Sequence, residues 1–217
     1  MIYFSDLITS TLKDIKNQNS MMIYNKKCSL NCIGCFHKND EHFSFGKFKN
    51  EEYILSYISE YGELFENIIL SGGTFLEENF LDIMNFITRV RRIFNGKIYL
   101  YDNGFNYNKL SSIVPFIDGV FLDIKLPIYS ISLCERFYEQ IIGNSFDGNK
   151  VVSLIDSIKL LYSIKDEKHI VFRTVKYKIY NDKILSDLND FINLFFSDIK
   201  YEQNDFIEPE KIVVSED

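Results

Sequence analysis

The chain has 217 residues, 46% of them hydrophobic, which suffices for one α/β domain with a sizeable core and leaves too little for a second. Its formal net charge of -7 excludes the basic face that a nucleic-acid backbone requires. Four cysteines, three of them crowded between positions 28 and 35, do not make a secreted disulfide framework; with no signal peptide and no apolar run of about 18 residues, a reducing cytoplasm without membrane association is expected.

In chain order, residues 7–16 have helical spacing and predict a first helix. A short apolar run at 21–24 predicts a buried strand, and the cysteine loop follows it. From there strands and helices alternate. Strands are predicted at 67–71, 97–101, 119–123, 169–175 and 199–203, and helices at 50–61, 77–94, 107–114, 149–165 and 181–195. No repeat, low-complexity tract or linker divides the chain, so residues 1–217 are read as one domain with its core at about 21–203.

Six strands alternating with helices imply parallel pairing through right-handed crossovers, in either a doubly wound sheet or a partial barrel. The polar residues discriminate. Gly72 and Gly73, then Asp102 and Asn103, then Asp123 and Lys125, then Arg173 and Thr174, then Gln203 each end a predicted strand. Polar groups at the carboxyl end of every strand describe a site over a barrel mouth, whereas a doubly wound sheet concentrates them at one switch point. A partial (β/α)6 barrel is therefore expected.

Cys28-Ser-Leu-Asn-Cys32-Ile-Gly-Cys35 offers three soft thiolates on one loop, suited to iron–sulfur or zinc rather than to a hard cation. Three thiolates on a four-iron cluster leave one iron for an external ligand. The competing reading is a zinc tetrahedron completed by His37 or His42. Cys134 stands apart near a predicted helix start and reads as an ordinary thiol.

The C-x3-C-x2-C spacing, with Gly34 and Phe36 around the third cysteine, resembles the radical S-adenosylmethionine (SAM) superfamily. That resemblance implies a 4Fe-4S cluster on Cys28, Cys32 and Cys35, SAM chelated to the open iron, and Phe36 beside the adenine. It implies reductive cleavage of SAM to methionine and a 5′-deoxyadenosyl radical that abstracts hydrogen. Ser71-Gly72-Gly73-Thr74 is similar to the family's Gly-Gly-Glu motif, with Thr74 where Glu is usual. Its glycines would let backbone approach the methionine moiety of SAM.

Later segments resemble the activating enzymes of anaerobic ribonucleotide reductase, with those of pyruvate formate-lyase next. They are Asp102-Asn103-Gly104, whose plain reading is a turn, Asp123-Ile-Lys125, two residues that would point the same way from a strand, and Arg173-Thr-Val. By this resemblance Arg173 would pair with the SAM carboxylate, the alternative being a structural salt bridge. A monovalent cation would sit near Asp102 and Asp123. The substrate would be a glycine in a large partner protein, and the electron donor would be of flavodoxin or ferredoxin type. Cys134 alone cannot hold an auxiliary cluster, and six strands leave a lateral opening for a protein loop. Two alternatives remain. One is a small-molecule radical SAM enzyme such as 7-carboxy-7-deazaguanine synthase, and the other a metal-binding or redox-sensing module without catalysis.

Overall fold

The computed structural model describes residues 1–35 and 48–208. Its centre is an eight-stranded sheet in the order β3-β1-β2-β4-β5-β6-β7-β8. The strands are β1 (Tyr3–Thr11), β2 (Ser20–Asn25), β3 (Lys49–Asn50), β4 (Asn67–Gly72), β5 (Lys97–Asp102), β6 (Gly119–Asp123), β7 (His169–Lys176) and β8 (Lys200–Asp205). From β2 onward every neighbouring pair is parallel. Leaving out the two-residue β3, which pairs with β1 at the far edge, each strand lies beside the one before it, so the order of the parallel strands never reverses. This is the winding of a barrel, and the sheet stays open because β3 and β8 end it without pairing to each other.

The helices are α1 (Glu51–Tyr61), α2 (Phe80–Ile93), α3 (Tyr107–Ile113), α4 (Ile131–Ile142), α5 (Gly148–Ser163) and α6 (Asp182–Phe195). Side-chain caps set several starts. Asn50, Asn79, Asp147 and Asn181 each accept from backbone N–H groups in the first turn, fulfilling donors that the helix cannot. The cap at Asn79 moves the start of α2 past residue 77, where a 3-10 turn (Phe75–Glu77) intervenes. Among the described residues no helix is long and apolar enough to cross a membrane.

One predicted element is overturned. Residues 7–16 do not form a helix; β1 runs through Thr11 and pairs antiparallel with β2, followed by a turn. The segment contains Ile8 and Thr11, whose branched Cβ atoms suit a strand, and β2 offers it a free edge. The spacing of Leu7, Leu12 and Ile15 mimics a helix only as long as that edge is ignored. The β6-to-β7 crossover also carries α4, of which only the start near Cys134 is visible in the sequence.

The sheet has two faces because successive side chains alternate. Leu70, Leu100, Leu122 and Phe172 point outward into the main core against the helices, almost free of solvent. Burying each such side chain is worth about 1.5–3 kcal/mol. On the concave face Met22, Ile69, Tyr99, Phe121 and Val171, from five adjacent parallel strands, form a second, smaller cluster. It closes the bottom of the barrel. Two residues further along the same strands come Tyr101, Asp123 and Arg173, and beyond them the strand ends open onto a cavity.

Candidate active site

The cavity is about 270 Å3 and collects the cysteine loop and the strand ends. Cys28, Cys32 and Cys35 all line it, partly exposed and unbridged. Six hydrogen bonds and one ring contact hold the loop in place. Asn31 and Ile33 donate their backbone N–H groups to the carbonyls of Ile142 and Ile141, which the last turn of α4 leaves without partners. Asn144 accepts from Asn31 N–H and donates to the Ser29 carbonyl. Glu77 accepts from the Ser29 N–H at 2.8 Å and from its hydroxyl at 2.6 Å. The Phe206 ring lies against Gly34, 2.3 Å from where a Cβ would stand.

Gly72 and Gly73 line the cavity, but their smallness serves another part of the chain. A Cβ at Gly73 would stand 2.3 Å from the Lys27 carbonyl oxygen, and one at Gly72 2.6 Å from the Asn25 nitrogen. Gly72 also has φ +93, a region that L side chains rarely adopt. Backbone bonds from Gly73 N–H to Asn25 O (2.9 Å) and from Thr74 N–H to Lys27 O (2.6 Å) lock this turn to the segment entering Cys28. The glycines thus clamp the cysteine loop onto β4.

Thr74 is 2% exposed and its hydroxyl lies 3.4 Å from Cys28 Sγ and 3.2 Å from Asn103 Nδ2. Asp102-Asn103-Gly104 forms the turn its sequence suggests: Asp102 Oδ2 accepts from Gly104 N–H, and Asn103 Oδ1 from Phe105 N–H. The other carboxylate oxygen of Asp102 is buried without a partner among the described residues, beside the cavity. Burial pushes the Asp102 carboxyl up to about 6.

Asp123 and Lys125 do face the same side, with Lys125 Nζ 3.7 Å from Asp123 Oδ2. Burial works against both charges. Arg173 and Lys125 nevertheless hold the Asp123 carboxyl below its ordinary range, while Tyr177, Asp123, Cys32 and Cys35 hold the Lys125 ammonium above its own. Tyr177, buried and electrostatically coupled to Lys125, belongs to this group although the sequence reading passed over it. Its position just beyond the end of β7 is the signal that could have found it.

Arg173 makes its ion pair within the chain. Its Nε and Nη2 lie 2.9 and 2.7 Å from Asp123 Oδ1, and its guanidinium sits 3.9 Å over the Tyr101 ring. It is not among the residues lining the cavity. The guanidinium is taken up by a carboxylate of the chain itself, which is the salt-bridge alternative. Gln203 also points away, donating to the Leu185 carbonyl in α6. Cys134 is buried, its thiol pushed up to about 12 by burial. Phe36, His37 and His42 lie outside the described residues.

Residues 19–127, from just before β2 to Pro127 beyond the end of β6, match the family described as "4Fe-4S single cluster domain". The chain belongs to this family. Among curated proteins none matches the sequence of this single-cluster domain. Among solved structures it is similar to coproporphyrinogen III oxidase (HemN) from Escherichia coli, described as a radical SAM enzyme, at 8% identity and a TM-score of 0.49, over 79% of this chain and 38% of that one. It is also similar to a GH113 β-1,4-mannanase, at 12% identity and a TM-score of 0.42, over 77% of this chain and 58% of that one. The chain thus spans less than two thirds of each.

The donor set fits a single cluster. Three soft ligands line one cavity, and no other cysteine of the described residues reaches it. A ligand cysteine must lose its proton. Burial pushes the Cys32 thiol up, while the Lys125 ammonium pulls it the other way and favours the thiolate.

Proposed function

We propose that this single-cluster protein is a radical SAM enzyme, and that it installs a glycyl radical on a partner protein, most simply an anaerobic ribonucleotide reductase. One observation carries the first part: the three thiols share one cavity with Asp102, Asn103, Asp123, Lys125 and Tyr177 at the carboxyl ends of parallel strands. One-electron cleavage of SAM is the chemistry a reduced 4Fe-4S cluster supplies when bound at three thiolates.

The chain's own residues supply a setting for a zwitterionic ligand. The unpartnered Asp102 oxygen accepts from a ligand donor such as an ammonium. Lys125, charged and partly buried at the cavity wall, answers a ligand carboxylate. Phe206 and Ile207 add an apolar side. A glycine of a partner is the proposed substrate on the resemblance of Asp102-Asn103-Gly104 and Asp123-Ile-Lys125, and the open sheet edge at β8 supports entry of a protein loop. A flavodoxin or ferredoxin would deliver the electron. The buried polar groups of the cavity favour, as a second reading, a small polar metabolite.

The test is anaerobic. Protein reconstituted with iron and sulfide should carry close to one 4Fe-4S cluster per chain and release 5′-deoxyadenosine from SAM under dithionite. Cys28→Ala, Cys32→Ala and Cys35→Ala should each abolish both. Stoichiometric zinc in protein purified without oxygen, or a full cluster that cleaves no SAM, would overturn the reading.

A further inference from the structure

Thr74 stands where the similar motif has a carboxylate, and its surroundings fix the direction of its hydroxyl. The Asn103 amide is oriented by its own oxygen, which accepts from Phe105 N–H at 3.0 Å. Its NH2 group therefore donates to Thr74 Oγ1 at 3.2 Å. With a lone pair so engaged, the Thr74 proton is left for its remaining neighbour, Cys28 Sγ at 3.4 Å. A free thiol can donate or accept, but a ligating thiolate can only accept. The backbone of Thr74 is held as firmly, by Lys27 O on its N–H and by Asn25 Nδ2 on its carbonyl.

We propose that Phe105 N–H, Asn103, Thr74 and Cys28 Sγ form a directed hydrogen-bond relay that sets the reduction potential of the cluster held by this chain. Reduction adds one electron from the external reductant, and negative charge on the cysteine sulfurs rises. A hydroxyl aimed at one of those sulfurs favours the reduced state, and hydrogen bonds to ligand sulfurs are an established lever on cluster potential. A Glu at position 74 would oppose it with a second negative charge. The links from Phe105 through Asn103 to Thr74 are buried, where each donor polarises the next, and the link to Cys28 is partly buried. It rests on the cluster and not on the proposed reaction with SAM.

The test is an anaerobic redox titration of the reconstituted protein without SAM, read by electron paramagnetic resonance. Thr74→Val should lower the reduction constant by up to about tenfold, which is ~59 mV for a one-electron couple. Thr74→Ser, which keeps the hydroxyl, should stay at the wild-type potential. Asn103→Leu should shift it in the same direction by less, because the hydroxyl loses its polarising donor. Should Thr74→Val fail to hold a cluster, Asn103→Leu decides. A wild-type potential in Thr74→Val with full cluster content, or in Asn103→Leu where the first variant is empty, overturns the proposal. A purely structural role would lower thermal stability and leave the potential where it was. Loss of SAM cleavage alone bears on the proposed function and not on this relay.

Discussion

Asp123 and Arg173 face each other in register across β6 and β7, and both contacting guanidinium nitrogens converge on one carboxylate oxygen of Asp123. The second oxygen is left to Lys125. Asp123 therefore divides its charge between a structural cation below it and a cavity-facing cation above it. Removing either partner changes the field felt by the other.

Arg173→Ala leaves Asp123 partly buried beside Lys125 alone and strips the cation from the Tyr101 face. The expected cost is about 2–4 kcal/mol in urea unfolding, below the 3–5 kcal/mol of a fully buried pair because Asp123 retains Lys125. Arg173→Lys should recover part of this and, in the loaded protein, leave SAM affinity within about threefold of wild type by equilibrium binding. A tenfold weaker affinity with full cluster content would return the guanidinium to the ligand.

The glycine turn gives a prediction with a structural readout. Gly73→Ala drives a methyl into the Lys27 carbonyl, a rigid backbone neighbour, and parts β4 from the segment leading to Cys28. Stability should fall by about 1–3 kcal/mol, the range for overpacking. Cluster content after reconstitution should fall with it. Normal stability with weakened SAM binding would show instead that the glycine makes room for a ligand.

Much of this architecture could be read in advance, and the exceptions share a cause. The six parallel strands were visible as apolar runs, each ending in a polar group, and their order placed those groups at one end. The contacts that fix the cysteine loop were not visible. Glu77 and Ser29 are 48 residues apart, Asn31 and Asn144 are 113 apart, and nothing local marks either pair. The same limit applies to Arg173. An arginine at a strand end looks the same whether its anion is a ligand or Asp123, and the β6–β7 register that sets it opposite Asp123 has no local mark. Gln203 was misdirected by register too: it pairs with Thr174, a buried residue of the helix-facing side.

Asp102 makes pH dependence measurable in the protein without its cluster. Its carboxyl, raised from 3.8 to about 6 by burial, binds protons more tightly folded than unfolded. The stability this contributes is therefore present below about pH 4 and lost as pH rises through about 6. Asp102→Asn keeps an oxygen to accept from Gly104 N–H and removes the buried charge. Its unfolding free energy should exceed that of wild type at pH 7, and the difference should shrink toward pH 4. Parallel curves for the two proteins across that range would mean that the Asp102 carboxyl titrates normally.

The remaining prediction concerns the substrate, which follows from resemblance and from an open sheet rather than from any bound molecule. A glycine Cα held in a protein loop must reach the cavity, and the sheet supplies a route because, among the described residues, β8 has no strand on its outer side. On this strand Glu202 pairs with Lys200 and Asp205 with Lys176, so a loop entering there meets charges of both signs. Loaded enzyme, reductant, SAM and the cognate anaerobic reductase should together give a doublet glycyl-radical signal by electron paramagnetic resonance. Deuterium at the partner's glycine Cα should appear in 5′-deoxyadenosine, because that hydrogen moves directly to the 5′ carbon. Turnover of a small polar metabolite, with no signal on the reductase, would transfer the same cavity to the second reading and leave its cluster chemistry intact.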